Sequence, residues 1–365
     1  MNILFLFLGD INDPISSSGT PYNLGKALRE EFSRVTAASA SLKGVRRWIN
    51  LVKTFHPNIS VWKERSYKNR YCFRSQSAKV QKVIKNRSEV DYILQSQTMF
   101  SPGMRLEELK LPFGIYIDYT IAKAQRDYPL WAPVKKRDYC WWFEQERRLF
   151  QHARHIFTFS KPVRDSVIND YDIPDTKIFC VRAGTPFTPV EKSPQRKEIK
   201  RFLFVGRDYY GKGAEYLLSA FCDLKKVHND IHLTVIGCRL PKEYPGVVNI
   251  PFISDREQLQ QIFLASDAFV LPSVAEPFGY VFLEAMACGL PCIGTNTGGI
   301  VDIIIDNETG FIVPPGNVEK LREKIEELIL NPQLANSFGE CGLRRVKQEF
   351  QWKVVVQKIK KIIKI

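Results

Sequence analysis

The chain has 365 residues, more than one hydrophobic core usually serves, so two domains are expected. Hydrophobic residues make up 44% and charged residues 25%, with a net charge of +14. These are ordinary values for a soluble globular protein, and no stretch is apolar for long enough to span a bilayer. The eight cysteines show no C-x2-C spacing and the five histidines no metal motif, so neither a disulfide framework nor a metal centre is expected, and the thiols read as reduced thiols of a cytosolic protein.

The opening run ILFLFL has no basic flank and is short, so it reads as a first buried parallel strand rather than a signal peptide. Further strands are predicted near 35–39, 92–95, 113–117, 155–159 and 179–182, with helices near 21–32, 77–87, 138–153 and 161–170, the last with Ser160 as its N-cap. Residues 184–198, GTPFTPVEKSPQRKE, hold three prolines and few large apolar groups, and a linker is placed over 185–198. Strands follow near 202–205, 232–236, 247–250, 268–271, 291–294 and 311–313. Helices are predicted near 213–227, 255–265, 279–288, 299–305, 317–330, 332–349 and 351–364.

Apolar strands alternating with amphipathic helices imply α/β architecture: two doubly wound parallel-sheet, Rossmann-like domains facing a cleft. The domains are placed at 1–184 and 199–349, with a last helix over 350–365. That helix has apolar residues at 352, 355, 356, 359, 362 and 363 and lysines on its other face. It either crosses back to the first domain or lies on a membrane surface.

The charge is unevenly spread. Residues 1–200 carry 34 Lys+Arg against 20 Asp+Glu, whereas residues 201–350 carry 14 against 19. Within 43–87 stand 13 basic side chains and one acid, Glu64, interleaved with Trp48, Phe55, Trp62, Tyr67, Tyr71 and Phe73. Such a stretch is a solvated basic face, a contact for an anionic membrane or acidic lipid-linked acceptor, or a nucleic-acid grip. No nucleic-acid reader motif accompanies the charge, so nucleic acid is not the expected partner.

Two constellations carry chemistry. Glu276 and Glu284, in AEPFGYVFLEAMACGLP, stand eight residues apart. The first follows the apolar strand AFVLPS and the second lies in the next helix. That helix begins near Gly279 and Tyr280, where free N–H groups and the positive dipole end favour an anion. Carboxylates that accept from hydroxyls, beside an anion-binding helix start, suit a phosphorylated sugar; otherwise they are surface glutamates. In RFLFVGRDYYGKGAEYL, Gly206, Arg207 and Lys212 lie on the loop between strand and helix. Two cations there can neutralise a diphosphate, or they are solvated residues of a plain turn. Gly206-x4-Gly211-Lys212 matches most of a Walker A loop, but Gly213 stands where a Ser or Thr must hold magnesium.

VGRDYYGKG at 205–213, EPFGYVFLEAMACGLP around Glu276 and Glu284, and GTNTGGIVDIIIDNETGFIVPPGN at 294–317 together resemble the group 1 glycosyl transferases, the family 4 retaining enzymes with the GT-B fold. A weaker similarity is SSSGTPYNLGKAL at 16–28, like the acceptor-side loop of some members. The resemblance implies a nucleoside-diphosphate-sugar donor, retention at the anomeric carbon and no required metal or other cofactor.

Arg207 and Lys212, with the amides near Gly279 and Tyr280, are then expected to stabilise charge on the departing diphosphate. Glu284 is expected on the ribose diol and Glu276 on the transferred sugar. Gly19 and Thr20, between the first strand and its helix, and Asp118, after an apolar strand, are acceptor-side candidates in the first domain; Asp118 reads first as an ordinary turn aspartate. The expected acceptor is a glycan or lipid-linked glycan. The expected location is cytoplasmic, peripheral on the inner membrane face. Two other classes compete: a magnesium-dependent P-loop-like phosphotransferase, and a non-catalytic basic binder of nucleic acid or anionic surfaces.

Overall fold

The structure is a computed structural model that describes residues 1–14, 16–87, 89–129, 132 and 136–364. The chain divides into two compact units: Met1–Arg182 with Val355–Ile365, and Ala183–Val354.

Unit 1 runs β1 (Asn2–Phe7), α1 (Thr20–Glu31), β2 (Arg34–Ser39), α2 (Gly44–Lys53), α3 (Ile59–Tyr67), α4 (Arg70–Lys85), β3 (Tyr92–Ser96), β4 (Phe113–Ile117), α5 (Ile121–Asp127), α6 (Lys136–His152), β5 (His155–Thr158), α7 (Lys161–Tyr171) and β6 (Ile178–Cys180). Its six strands pair in parallel in the order β2-β1-β3-β4-β5-β6. The run ILFLF of β1 is buried on both faces, as a strand covered by helices above and below must be. Burying each such Leu or Phe stabilises the fold by roughly 1.5–3 kcal/mol.

The helices of unit 1 differ from expectation in two places. The basic stretch is not one late helix over 77–87 but three helices. α4 starts seven residues early because Asn69 Oδ1 accepts from Cys72 N at 2.8 Å and caps it. α5, not foreseen, is likewise started by Thr120, which accepts from Lys123 N at 3.1 Å. Ser160 does occupy the N-cap of α7, yet its hydroxyl makes no capping bond. The second helical residue is Pro162, which offers no N–H to accept from.

Unit 2 runs β7 (Arg201–Val205), α8 (Ala214–Val227), β8 (His232–Ile236), β9 (Val247–Ile250), α9 (Arg256–Leu264), β10 (Ala268–Val270), α10 (Tyr280–Ala287), β11 (Cys292–Thr295), α11 (Ile300–Ile303), β12 (Gly310–Val313), α12 (Val318–Leu330) and α13 (Pro332–Glu349). Its strands are also all parallel, in the order β12-β11-β10-β7-β8-β9. After β7 the chain winds outward through β8 and β9, then returns to place β10 on the other side of β7. That reversal makes the carboxyl ends of β7 and β10 the switch point of the sheet, where loops diverge and leave a crevice. Residues 185–198 count with this unit. Thr185 N donates to Phe350 O at 2.6 Å, and Arg196 Nη1 to Gly289 O at 2.9 Å.

The last helix, α14 (Trp352–Ile363), passes the point where unit 2 ends, and its residues from Val355 onward count with unit 1. Its Val355, Val356, Ile359 and Ile363 are buried, and Gln357 Nε2 and Lys360 Nζ each reach Glu31 of α1 at 3.0 Å. The apolar stripe is covered by protein, which corrects the alternative of a membrane-surface helix here. Among the described residues, no helix is long and apolar enough to cross a membrane. All eight cysteines are free thiols, and Cys72, Cys238, Cys288 and Cys292 are buried.

Candidate functional site

The switch point of unit 2 is built by two loops that grip each other. Gly206 to Gly213 follow β7, and Pro272 to Gly279 follow β10. Val274 N and Ala275 N donate to Gly211 O at 3.0 and 3.2 Å, and Gly211 N donates to Asp208 Oδ1 at 3.0 Å. Gly213 has φ of 69°, and a Cβ there would collide with the Pro272 carbonyl. The close approach therefore needs glycine at 213, and the hydroxyl that a P-loop requires has no room. A third loop, after β11, closes the far side. Thr295 Oγ1 donates to Ser273 O at 2.6 Å, and a Cβ at Gly298 would collide with the Glu276 carbonyl.

This frame carries Lys212 to Glu276. Lys212 Nζ stands 2.6 Å from Glu276 Oε2, and the Glu276 side chain is only 9% exposed. The lysine foreseen as a diphosphate contact and the glutamate foreseen as a sugar contact are thus partners. Glu284 sits on the second turn of α10, 4% exposed. Its Oε1 accepts from Arg256 Nη2 at 2.6 Å, while Oε2 is buried with no hydrogen-bond partner among the described residues. Burial raises the Glu284 carboxyl above its ordinary value, and Arg256 works against that rise. A buried carboxylate oxygen without a donor is costly unless a ligand hydroxyl supplies one.

Gly279 is the N-cap of α10 at φ 106°, and no side chain caps it, so no side-chain acceptor meets the positive end of the helix dipole. Tyr280 stacks over Trp352 at 6.5 Å. Arg207 is exposed, its guanidinium lying over the Phe252 ring at 4.6 Å. A Cβ at Gly206 would meet the Lys212 Cβ and Cγ at 3.0 Å, so this glycine leaves the lysine stem its channel.

The acceptor-side candidates lie in unit 1, beyond the carboxyl ends of its strands. Gly19 (φ 73°) is the N-cap of α1, and a Cβ there would meet Pro14 O at 2.6 Å. Thr20 is buried behind it. Asp118 follows β4, and burial raises its carboxyl above the ordinary range, against its own and the Tyr119 N–H groups.

Two residues escaped the sequence reading. Arg256 opens α9 and lies over the Phe187 ring at 4.7 Å; no motif marked it as the partner of Glu284. Glu146 of α6 accepts from Thr98 Oγ1 at 2.5 Å, from Ile121 N at 2.9 Å and from the Tyr171 hydroxyl. It ties the loop after β3 to the start of α5, three residues beyond Asp118. A signal existed: Trp142, Glu146, Leu149 and Phe150 share one helical stripe, so an acid stood on the buried face. Among the described residues, no group of three His, Cys, Asp or Glu is placed to hold a metal.

Residues 188–345 match the family described as glycosyl transferases group 1. The α-maltose-1-phosphate synthase of Mycolicibacterium smegmatis is 27% identical over 241 residues, 57% of this chain and 62% of that protein. The chain thus spans about three fifths of the length of the curated relatives it matches. Among solved structures, sucrose-phosphate synthase from Thermosynechococcus elongatus superimposes with a TM-score of 0.73 at 19% identity, covering 100% of this chain and 98% of that one. Anabaena HepE in complex with UDP gives 0.70 at 17% identity, with both chains covered completely. At such identities the likeness is one of fold, and that fold is GT-B.

Proposed function

We propose that this chain, whose residues 188–345 match the group 1 glycosyl transferases, moves a sugar from a nucleoside-diphosphate sugar to an acceptor hydroxyl with retention at the anomeric carbon. In the reaction the bond between sugar C1 and the diphosphate oxygen breaks, and a bond from the acceptor oxygen to C1 forms. Charge grows on the departing diphosphate. Fixed cations and amides aimed at that oxygen lower the barrier, usually as the largest single contribution. Arg207, Lys212 and the start of α10 beside Gly279 and Tyr280 are assigned this role, so no metal is required. Glu284 takes the ribose diol on its open oxygen and Glu276 the transferred sugar. The UDP held by HepE supports a nucleoside diphosphate as leaving group.

The observation that carries this reading is the switch point of unit 2. There an ion-paired lysine and an uncapped helix start share the loops with a glutamate whose second oxygen is buried without a donor. On the acceptor side, Gly19, Thr20 and Asp118 are assigned to a glycan or lipid-linked glycan at the carboxyl edge of the unit 1 sheet. Residues 43–87, with 13 bases and one acid, hold the protein to an anionic surface, and its place is the cytoplasmic face of a membrane. Calorimetry with UDP, GDP and ADP in EDTA, followed by hydrolysis of the matching nucleotide sugars, tests the donor chemistry. Binding in EDTA to one of them supports the reading; binding to none, restored by magnesium, sinks it.

A further inference from the structure

Unit 1 contains a helix that wears its apolar face outward. On α2, Val45, Trp48, Ile49 and Val52 recur at helical spacing and form one stripe. Their exposures are 74%, 70%, 39% and 75%, and Phe55 and Ile59 continue the patch at 65% and 76%. The opposite face is polar and is the one that docks. Asn50, the buried residue of the helix, donates to Ser66 O at 2.7 Å and accepts from Asn69 Nδ2 at 3.0 Å. Trp62 Nε1 adds a bond to Leu51 O at 3.0 Å. A surface helix of a globular protein is normally held by its apolar stripe, with its polar side in water. Here the arrangement is reversed.

The surroundings identify what the stripe faces. Lys43 at the N-cap and Arg46 and Arg47 on the helix are exposed, while Lys53 is drawn over the Tyr71 ring at 4.7 Å. The single acid of residues 43–87, Glu64, is neutralised by Lys68 at 2.7 Å. An apolar stripe bearing a tryptophan, flanked by bases without acids, is complementary to a bilayer with anionic head groups. The apolar chains enter the acyl boundary and the bases stay among the phosphates.

We propose that α2 lies in the plane of an anionic lipid bilayer, with Val45, Trp48, Val52 and Phe55 inserted and Lys43, Arg46 and Arg47 on the head groups. The proposal rests on the reading of residues 43–87 as a surface contact and deepens it, because apolar insertion rather than charge alone then holds the protein.

The test is flotation of the full chain with vesicles of phosphatidylglycerol and phosphatidylcholine, or of phosphatidylcholine alone, at low and high salt. Wild type is expected on the anionic vesicles, with part of the binding surviving high salt. Arg46→Ser/Arg47→Ser should weaken the low-salt binding about thirtyfold, as the loss of two head-group charges implies. Trp48→Ser/Val52→Ser should abolish the salt-resistant part and weaken the whole on the order of a hundredfold. Both pairs are exposed, so folding should be unaffected, and nucleotide binding in vesicle-free buffer checks it. If Trp48→Ser/Val52→Ser floats like wild type and salt removes everything, insertion is refuted while the electrostatic contact stands. If wild type binds neither vesicle, both fail. If that variant instead turns a dimer into a monomer in sedimentation, the stripe covers a second copy and the proposal is overturned. A failure of nucleotide binding in every variant and in wild type would count against sugar transfer and leave the vesicle result intact.

Discussion

Lys212 Nζ and Glu276 Oε2 stand 2.6 Å apart, joining the loop after β7 to the loop after β10. In the proposed reaction Lys212 meets the diphosphate while partly neutralised by a carboxylate, so an incoming diphosphate competes with Glu276 for it, and a sugar hydroxyl arriving at Glu276 compensates the carboxylate. Glu276→Ala should leave affinity for free nucleoside diphosphate unchanged or increased, and should reduce turnover of the nucleotide sugar roughly 10²–10³-fold. Calorimetry and steady-state kinetics on the same preparation read both. A fall in nucleotide affinity would show that Glu276 holds the nucleotide rather than the sugar.

Glu284→Ala should weaken nucleotide binding by roughly 1.5–3 kcal/mol, the worth of a hydrogen bond to a charged group. Glu284→Gln should recover part of this, because its amide oxygen can still accept from Arg256. Calorimetry with the preferred nucleotide distinguishes the two. Equal affinities for wild type and Glu284→Ala would move the ribose contact elsewhere.

Gly213→Ser would install the hydroxyl that a P-loop needs, at a residue held at φ 69° against the Pro272 carbonyl. The strain and the collision should lower stability by roughly 1–3 kcal/mol or more, with no magnesium-dependent phosphotransfer gained. Gly206→Ala is the informative control. Its new Cβ would meet Lys212 Cβ and Cγ at 3.0 Å and the buried Phe204 ring at 3.1 Å, contacts that small shifts relieve more easily than a collision with a backbone carbonyl, so stability should fall less than in Gly213→Ser, while nucleotide affinity should fall. Denaturant melts and calorimetry give both comparisons, and a Gly213→Ser melt equal to wild type would refute the steric argument.

Glu146 tests the support behind Asp118. Oε2 accepts from Ile121 N and the Tyr171 hydroxyl and Oε1 from Thr98 Oγ1, so Glu146→Gln keeps all three contacts only if its amide donates to a Thr98 hydroxyl turned to accept, and should cost about 1 kcal/mol at neutral pH. Burial raises the Glu146 carboxyl above its ordinary value, against its Thr98 and Tyr171 bonds. The folded state therefore binds its proton more tightly than the unfolded chain does, and this group contributes more stability as pH falls through the interval between the ordinary and the raised value. Wild type should gain on Glu146→Gln, which cannot titrate, as the solution is acidified over that interval. Urea melts at a series of pH values check the sign, and an advantage that shrinks on acidification contradicts it.

Much of the architecture was legible in the sequence for a local reason. β1, β7 and β10 are continuous apolar runs, and α8, α12 and α13 repeat apolar residues at helical spacing, so pattern alone placed them within a residue or two. What the sequence could not determine is which charges meet and which faces are covered, because these depend on elements far apart in the chain. The pairing of Lys212 with Glu276 and of Arg256 with Glu284 follows from β10 returning beside β7. The apolar stripe of α14 looked available for a membrane, yet tertiary packing buries it. The stripe of α2 lay inside a stretch read only for its charge, and packing through Asn50 leaves it bare. The same amphipathic pattern thus has opposite fates in α14 and α2, and the difference is decided by which face finds a partner in the folded protein.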